Sequence, residues 1–259
     1  MCTRTVGSLG HYIEEEGLAT TGISLIREHT EQIKPPRALW VPFELGRPFG
    51  PPNNPEFQLG VLHRLLDLFA EPSGPVLRDY PIDAPARAAG DEPWSCELPL
   101  PPLEDASTPE DRLRVSFLQE IGLMRPWYEE ALREHRRTAI GLSGLSPDRI
   151  DEAATFVAAW ATGETPPLPD GVAGPELGAL RFMADDLKSF YLEAASVQPG
   201  AGTAMSRELN AWLYHGTWFG QALYDVRDRL TREAEAMNDP ARGRIALVPG
   251  AFRERPPRR

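Results

Sequence analysis

The sequence is poor in cysteine, in positive charge and in long apolar runs, and each shortage excludes a class of protein. Two cysteines, Cys2 and Cys96, cannot build the disulfide framework of a small secreted domain. Arginine and lysine total 27 against 38 acidic residues, and the net charge of -11 disfavours binding of nucleic acid or anionic membranes. No apolar run approaches the roughly 20 residues of a membrane span, and the start lacks a secretory pattern. We expect a cytoplasmic protein that binds neither nucleic acid nor membrane.

Proline is abundant instead, at 27 residues, and its distribution divides the chain. Eight prolines between residues 71 and 106 forbid regular structure over most of that stretch, which we interpret as a Pro-rich strap. Residues 1–70 alternate helix and strand patterns, and residues 107–238 carry helical periodicity. Residues 239–259 form a basic tail that we expect to be disordered. The expected fold class is an α/β fragment, with short parallel strands and crossover helices, followed by a mainly α-helical domain.

Apolar periodicity and punctuating residues delimit the predicted elements. Gly17 suits a helix C-cap, Asn54-Pro55 opens a helix, and Pro126 is expected to stop one. In the first part, we predict a helix over 6–16, a strand over 20–26, a helix over 27–33, a strand over 38–43 and a helix from residue 55. In the second part, we predict helices over about 109–124, 126–137, 147–163, 176–197 and 206–236. The aromatic residues at helical spacing in the last of these are expected in a core or an interface: Trp212, Tyr214, Trp218, Phe219 and Tyr224.

The segment ELGRPFGPPNNP, residues 44–55, follows the second predicted strand and is too rich in glycine and proline for helix or sheet. The α/β proteins usually bind ligands outside the carboxyl ends of parallel strands. This loop is therefore the expected position of a binding site.

Two stretches, CTRTVGSLGHYIEEEGLATTGISLI and RALWVPFELGRPFGPPNNPEFQ, carry a family resemblance. They resemble the end of the B-component proteins of glycine, sarcosine, betaine and D-proline reductases, over about residues 1–70. That family carries a Sec-x-x-Cys or Cys-x-x-Cys motif, then a helix, a strand, a helix, a strand and a Gly- and Pro-rich loop. Cys2 falls at the second redox position. The residues that match the loop are Leu45, Gly46, Pro48, Gly50 and Pro51.

The resemblance implies a thiol- or selenol-dependent oxidoreductase that cleaves the C–N bond of an amine or amino acid. A selenolate or thiolate attacks the carbon that bears the activated amine, and the nearby cysteine then resolves the intermediate by thiol exchange. Cys2 would be that redox or resolving thiol. The family activates the amine with a pyruvoyl-bearing subunit, so we expect such a partner, a thioredoxin-like reductant and no cofactor held by this chain. The motifs do not name the substrate.

The family's first redox residue lies three positions before Cys2, and this chain has no residue there. We therefore expect an N-terminally truncated component that is inactive alone. A selenocysteine codon read as a stop, a wrongly chosen start and a genuinely short protein would each explain the difference. Missing strands would leave an open sheet edge, which favours homo-oligomers.

Other candidate side chains follow from their chemistry. Arg4 would favour a Cys2 thiolate. His11 could reach Cys2 from the following helix and act as a base, but an ordinary surface histidine is the default interpretation. Arg47, inside the loop Gly46 to Pro51, would bind a substrate carboxylate.

The five histidines show no metal-binding spacing, so we predict no metal. Asp185, Asp186, Tyr191 and Glu193 share one predicted helix and could form a carboxylate site with His215. Glu-x-x-His pairs are absent, however, and an exposed charged face explains Asp186 and Lys188.

A rival function is a non-catalytic interaction module built on the helical half. The aromatic-rich last helix and the Pro-rich strap favour it. Absence of thiol reactivity at Cys2, together with a stable complex with a partner, would distinguish it from a reductase.

Overall fold

The computed structural model describes residues 2–84, Cys96, Leu98, 108–199 and 206–257, with side chains from Arg4 onward. The chain divides into two compact units, residues 1–91 and 92–259. The first contains a small parallel sheet with helices and the second is mainly helical, as the expected fold class requires.

The first unit is built around three parallel strands in the order β1-β2-β3. Gly22 pairs with Ala38 between β1 and β2, and Arg37 pairs with Val76 between β2 and β3. The helix predicted over 27–33 is confirmed, and the two predicted strands are present but shorter. The elements are α1 (Cys2–Glu15), β1 (Gly22–Ser24), α2 (Arg27–Ile33), β2 (Arg37–Trp40), α3 (Pro55–Asp67) and β3 (Val76–Asp79).

Strand β3 lies inside the segment 71–106, where the density of prolines predicted no regular structure over most of the length. Pro75 and Pro81 flank the sequence Val76–Asp79 without interrupting it. The N–H of Val76 donates to the carbonyl of Pro36 and that of Tyr80 donates to the carbonyl of Trp40. Prolines at strand ends leave the ladder intact, so the α/β part continues past residue 70, where the prediction ended it. Beyond residue 84, only Cys96 and Leu98 of this segment are among the described residues.

One face of the sheet holds the apolar core of this unit. Leu39 and Val41 pack with Val61 of α3, and the rings of Phe43 and Tyr80 meet edge to face at 5.7 Å. The opposite face presents the small residues Gly22, Ser24 and Ala38 toward α1 and α2.

The end of α1 is tied to the sheet by Glu14. Its carboxylate accepts hydrogen bonds from the N–H of Thr20 at 2.7 Å and from Nη1 of the buried Arg37 at 2.6 Å. Gly17, at φ +85, ends the helix as predicted, because its N–H bonds the carbonyl of Glu14 and that of Leu18 bonds Ile13. Burial of the Glu14 carboxylate opposes ionisation, but the hydrogen bonds from Thr20 and Arg37 outweigh it and lower the pKa.

We expect Glu14→Gln to lower the free energy of unfolding at pH 7 by about 1–2 kcal/mol, because a charge-assisted bond is lost. The native pKa of Glu14 lies below its ordinary value of 4.5, so its contribution is complete above that value and disappears as the pH falls further. The difference from wild type, measured by denaturant unfolding, should shrink toward pH 3. The exposed Glu15→Gln is the control, and an equal effect there at pH 7 would contradict the assignment.

The second unit packs its helices around one continuous core. α4 contacts α5, α6 and α8, and α7 packs against α6 and α8. The helices are α4 (Pro109–His135), α5 (Ile150–Ala161), α6 (Glu176–Ser196), α7 (Ser206–Gly216), α8 (Trp218–Met237) and the short α9 (Pro240–Gly243). None of the helices in the described part of the chain has both the length and the apolar character needed to cross a membrane.

Two predicted helix boundaries were wrong. α4 continues through Pro126, because Pro126 and Gly122 lie on the exposed side, where the displaced carbonyl of Gly122 can face solvent. The last helix, predicted as one, breaks at Thr217. This residue caps α8 by accepting from the N–H of Gly220 at 2.9 Å, and its hydroxyl donates to the carbonyl of Leu213. A Cβ at Gly220 would overlap that carbonyl, so glycine permits the close turn.

The C-terminal tail, predicted to be disordered, is packed. Helix α9 interrupts it, and Leu247 is 1% exposed within the core of the unit. Ile245, Val248 and Phe252 are also packed against that core. The prediction relied on the tail's prolines and arginines, whereas these four apolar side chains supply the burial that holds it.

A buried carboxylate fixes the loop before α5. Asp186 of α6, which is fully buried, accepts from the N–H groups of Gly141, Leu142 and Ser143 at 2.9–3.0 Å and from the Ser143 hydroxyl at 2.6 Å. The expectation that Asp186 belongs to an exposed charged face was therefore wrong. Neighbouring Asp185 instead pairs with Lys188 in a partly exposed position.

We expect Asp186→Asn to destabilise the protein by about 3 kcal/mol. The amide N–H group of asparagine would face the N–H and hydroxyl donors that the carboxylate now accepts from. Asp185→Asn, one residue away, should change the stability by less than about 0.5 kcal/mol. Thermal or denaturant unfolding measures both. Equal effects of the two substitutions would show that the loop does not depend on Asp186.

Candidate functional site

The loop predicted as a binding site follows β2 and is built from tight turns. The N–H of Arg47 bonds the carbonyl of Glu44 at 3.0 Å, and that of Gly50 bonds the carbonyl of Arg47 at 2.9 Å. Gly46 and Gly50 both have positive φ values, of +89 and +82. The loop thus has a defined shape at the carboxyl end of β2.

The loop is also fixed to the start of α3. Asn54 caps the helix by accepting from the N–H of Phe57, and Gln58 Nε2 donates to the carbonyl of Pro51 at 2.8 Å. Pro48 is half-buried within the second turn, which runs from Arg47 to Gly50. Arg47 is half-buried too, and its role as a carboxylate ligand stays a prediction.

We expect Gly50→Ala to destabilise the protein clearly more than Gly46→Ala. Both place a side chain at positive φ, which costs about 1 kcal/mol. Only at Gly50 would the new Cβ also meet the ring of Phe57, at 2.5 Å, whereas the space at Gly46 is open. Melting temperatures of the two variants test this, and equal losses would indicate that Phe57 moves away freely.

A groove lies on the other face of the sheet, between α1, α2 and the small residues of β1 and β2. It encloses about 340 Å³, and its floor includes Gly22, Ser24 and Ala38. Val6 and Leu9 line it and are 60% and 53% exposed. The sequence analysis did not identify this groove. Gly7 and Gly10 were the available signal, because a Cβ at Gly7 would lie 2.9 Å from Ile33 and glycine thus lets α1 approach closely.

Cys2 is the first residue of α1. Partial positive charge at a helix N-terminus generally stabilises a thiolate. The side chain of Cys2 lies outside the described residues, so its redox role stays a prediction.

The two predicted helpers of Cys2 belong to the same helix as Cys2 itself. Arg4 follows two positions on, and its role stays a prediction. The backbone of His11 lies nine positions on, about 13 Å along the helix axis. Its Nε2 lies 3.3 Å from the carbonyl of Ile33. This is the contact that the structure describes for His11, and its role as a base stays a prediction.

His11 and the loop also lie toward opposite edges of the sheet. Ile33 ends α2, which returns the chain to the amino end of β2. The loop with Gly46 and Gly50 leaves the carboxyl end of that strand. The structure thus places His11 away from this loop.

The carboxylates considered for a metal have other partners. Glu193 accepts from the Thr138 hydroxyl at 2.8 Å and the Ala139 N–H at 2.6 Å, while Asp186 holds the loop described above. His215 lies against Phe252, at 5.4 Å between ring centroids. Within 2–84, 108–199 and 206–257, no group of three or more potential ligands is arranged to hold a metal.

The remaining thiol and the aromatic residues belong to the helical core. Four of the five aromatics expected in a core or interface are buried in the core, and Trp218 packs against it. Trp212 Nε1 donates to the carbonyl of the half-buried Cys96 at 2.8 Å, and burial raises the pKa of that thiol.

Comparisons with protein-family models, with curated proteins and with solved structures found no match for this chain. A proposal for the function therefore rests on the sequence motifs and on the geometry described above.

Proposed function

We propose that the chain is a component of a reductase of the glycine, sarcosine, betaine or D-proline type, with Cys2 as its redox or resolving thiol. The observation that carries the proposal is the order of the motifs. A helix beginning at Cys2 leads through β1 and α2 to β2, whose carboxyl end opens into the Gly- and Pro-rich loop. This order is the one that the family resemblance requires.

The proposed role of Cys2 is thiol exchange. Its thiolate attacks the selenium or sulfur of a carbon-bound intermediate and forms a selenosulfide or disulfide bond. The electron pair of the broken carbon–chalcogen bond goes to carbon, which takes up a proton. A thioredoxin-like dithiol then supplies two electrons and reduces the new bond.

The first half of the reaction needs a nucleophile and an activated amine that we assign to other parts of the assembly. The amine would be activated by a pyruvoyl-type partner subunit, so the chain alone is proposed to be inactive. The substrate is an amine or amino acid. We also place the protein in the cytoplasm, where thiols are kept reduced.

We expect the thiol of Cys2 in a Cys96→Ser variant to react with iodoacetamide with an apparent pKa below the ordinary value of about 8.5. The helix N-terminus should stabilise its thiolate. The matched Cys2→Ser variant leaves only Cys96, whose pKa is raised by burial, and should react slowly with an apparent pKa above the ordinary value. Alkylation rates between pH 5 and 10, followed by mass spectrometry, measure both.

An apparent pKa at or above about 8.5 for Cys2 would count against the redox role. C–N cleavage by this chain alone, with a dithiol, would instead refute only the need for a partner. The two results concern separate parts of the proposal.

The rival interaction module has one supporting observation in the structure. Three apolar residues of α4 are exposed: Val115 by 41%, Leu123 by 37% and Trp127 by 38%. Their spacing of i, i+8 and i+12 places them on one side of the helix. The aromatics that first favoured this module are instead packed in or against the core. An unreactive Cys2 would make the exposed face of α4 the better starting point.

A further inference from the structure

The C-terminal segment, residues 249–257, lies along a groove formed by α7 and α8. Phe252 is its apolar contact. Its ring stacks on the ring of Tyr214, with centroids 5.3 Å apart, and meets the ring of His215 edge to face. We call this surface the α7–α8 groove; it comprises Tyr214, His215, Gln221, Tyr224, Asp225 and Asp228.

Side chains of α8 hold the backbone of the segment. The hydroxyl of Tyr224 donates to the carbonyl of Phe252 at 2.8 Å, and Arg227 Nη1 donates to the carbonyl of Arg253 at 2.8 Å. These hydrogen bonds hold the segment by its backbone, which forms a 3₁₀ turn over Gly250–Phe252, and do not depend on its side chains.

Arg255 supplies the charged contact. Its Nη1 donates to Asp225 at 2.8 Å and to Asp228 at 3.2 Å, and its guanidinium lies 6.0 Å from the centre of the Tyr224 ring. The groove therefore contacts two side chains that lie three residues apart, the aromatic ring of Phe252 and the guanidinium of Arg255.

The hydrogen bonding between the segment and the groove is incomplete. Gln221 Nε2 and Arg255 Nε are buried and have no hydrogen-bond partner within the described residues. Gln221 is 2% exposed, and its Oε1 accepts a long hydrogen bond, of 3.4 Å, from Arg255 Nη2. Buried donors without acceptors weaken an association, so the segment is held specifically but not optimally.

We propose that the α7–α8 groove is a peptide-binding site for a partner protein's segment with an aromatic residue three positions before an arginine. The chain's own residues 249–257 occupy the site in cis and compete with that partner. The acidic pair Asp225 and Asp228 selects arginine, and the slot beside Tyr214 selects the ring. This inference is independent of the reductase proposal, which concerns the other unit.

The test uses a fluorescent peptide with the sequence of residues 249–257 and two forms of the full chain. In Phe252→Ala/Arg255→Ala, the cis segment loses both specific contacts. This variant should bind the peptide at least tenfold more tightly than wild type, because an attached competitor has a high effective concentration. A control peptide with both residues replaced by alanine should not bind.

Charge in the groove is tested in the same background. Adding Asp225→Asn and Asp228→Asn should weaken peptide binding at least tenfold. Adding Glu134→Gln, at an exposed position of α4, should leave it unchanged. Failure of the folded double variant to bind the peptide, or equal binding by wild type, would overturn the proposal.

Hydrogen exchange of the wild-type chain provides a test that needs no substitution. Unlabelled peptide should accelerate exchange of the amides of residues 249–257 in proportion to its concentration, while the middle of α8 stays protected. Unchanged exchange at peptide concentrations that saturate the double variant would show that the segment is a fixed part of the fold. If the variants do not fold, unchanged exchange up to millimolar peptide decides against the proposal.

Discussion

The helical unit depends on one buried carboxylate, that of Glu120 in α4. Its two oxygens accept from the N–H of Trp218 at 2.7 and 2.8 Å, and one also accepts from the N–H of Phe219 and the hydroxyl of Tyr191. A negative charge at the start of α8 satisfies donors that the helix itself cannot and complements its dipole. Because α8 begins at this point and in this direction, α7 can turn sharply at Thr217, and the two helices form the groove filled by Phe252 and Arg255.

Local signals predicted the parts of the fold that depend on local chemistry. The alternation of apolar runs identified a parallel α/β fragment, and Gly17 marked the end of α1. The errors arose where tertiary contacts override a breaker or a composition. Pro126 is tolerated in α4 because it lies on the exposed side, and the tail is ordered because Leu247 finds a core. Neither the exposure of Pro126 nor the burial of Leu247 can be predicted from the residues next to it in the sequence.

In the candidate site, too, local features were predicted correctly and tertiary arrangement was not. The loop at the end of β2 was predicted correctly as a loop in that place, because glycine and proline exclude other structures there. The assignment of Arg4 and His11 assumed that Cys2 precedes the helix, whereas Cys2 is part of it. The backbone of His11 then lies about 13 Å further along α1 than that of Cys2. Predicting the groove beside α1 would have required knowing how α1, α2 and the sheet are placed relative to one another. The spacing of residues in the sequence does not give that information.

The two proposals assign different kinds of recognition to the two units. A thiol that resolves an intermediate works by bond exchange, so its evidence is the pKa and reactivity of one atom, Cys2 Sγ. A groove that reads an aromatic ring and an arginine works by equilibrium binding, so its evidence is competition. The excess of acidic residues in the chain is consistent with the second proposal, since Asp225 and Asp228 select a cationic side chain. A reductase component that acts only with partners would use such a site for assembly, but the groove can bind its peptide even if Cys2 proves unreactive.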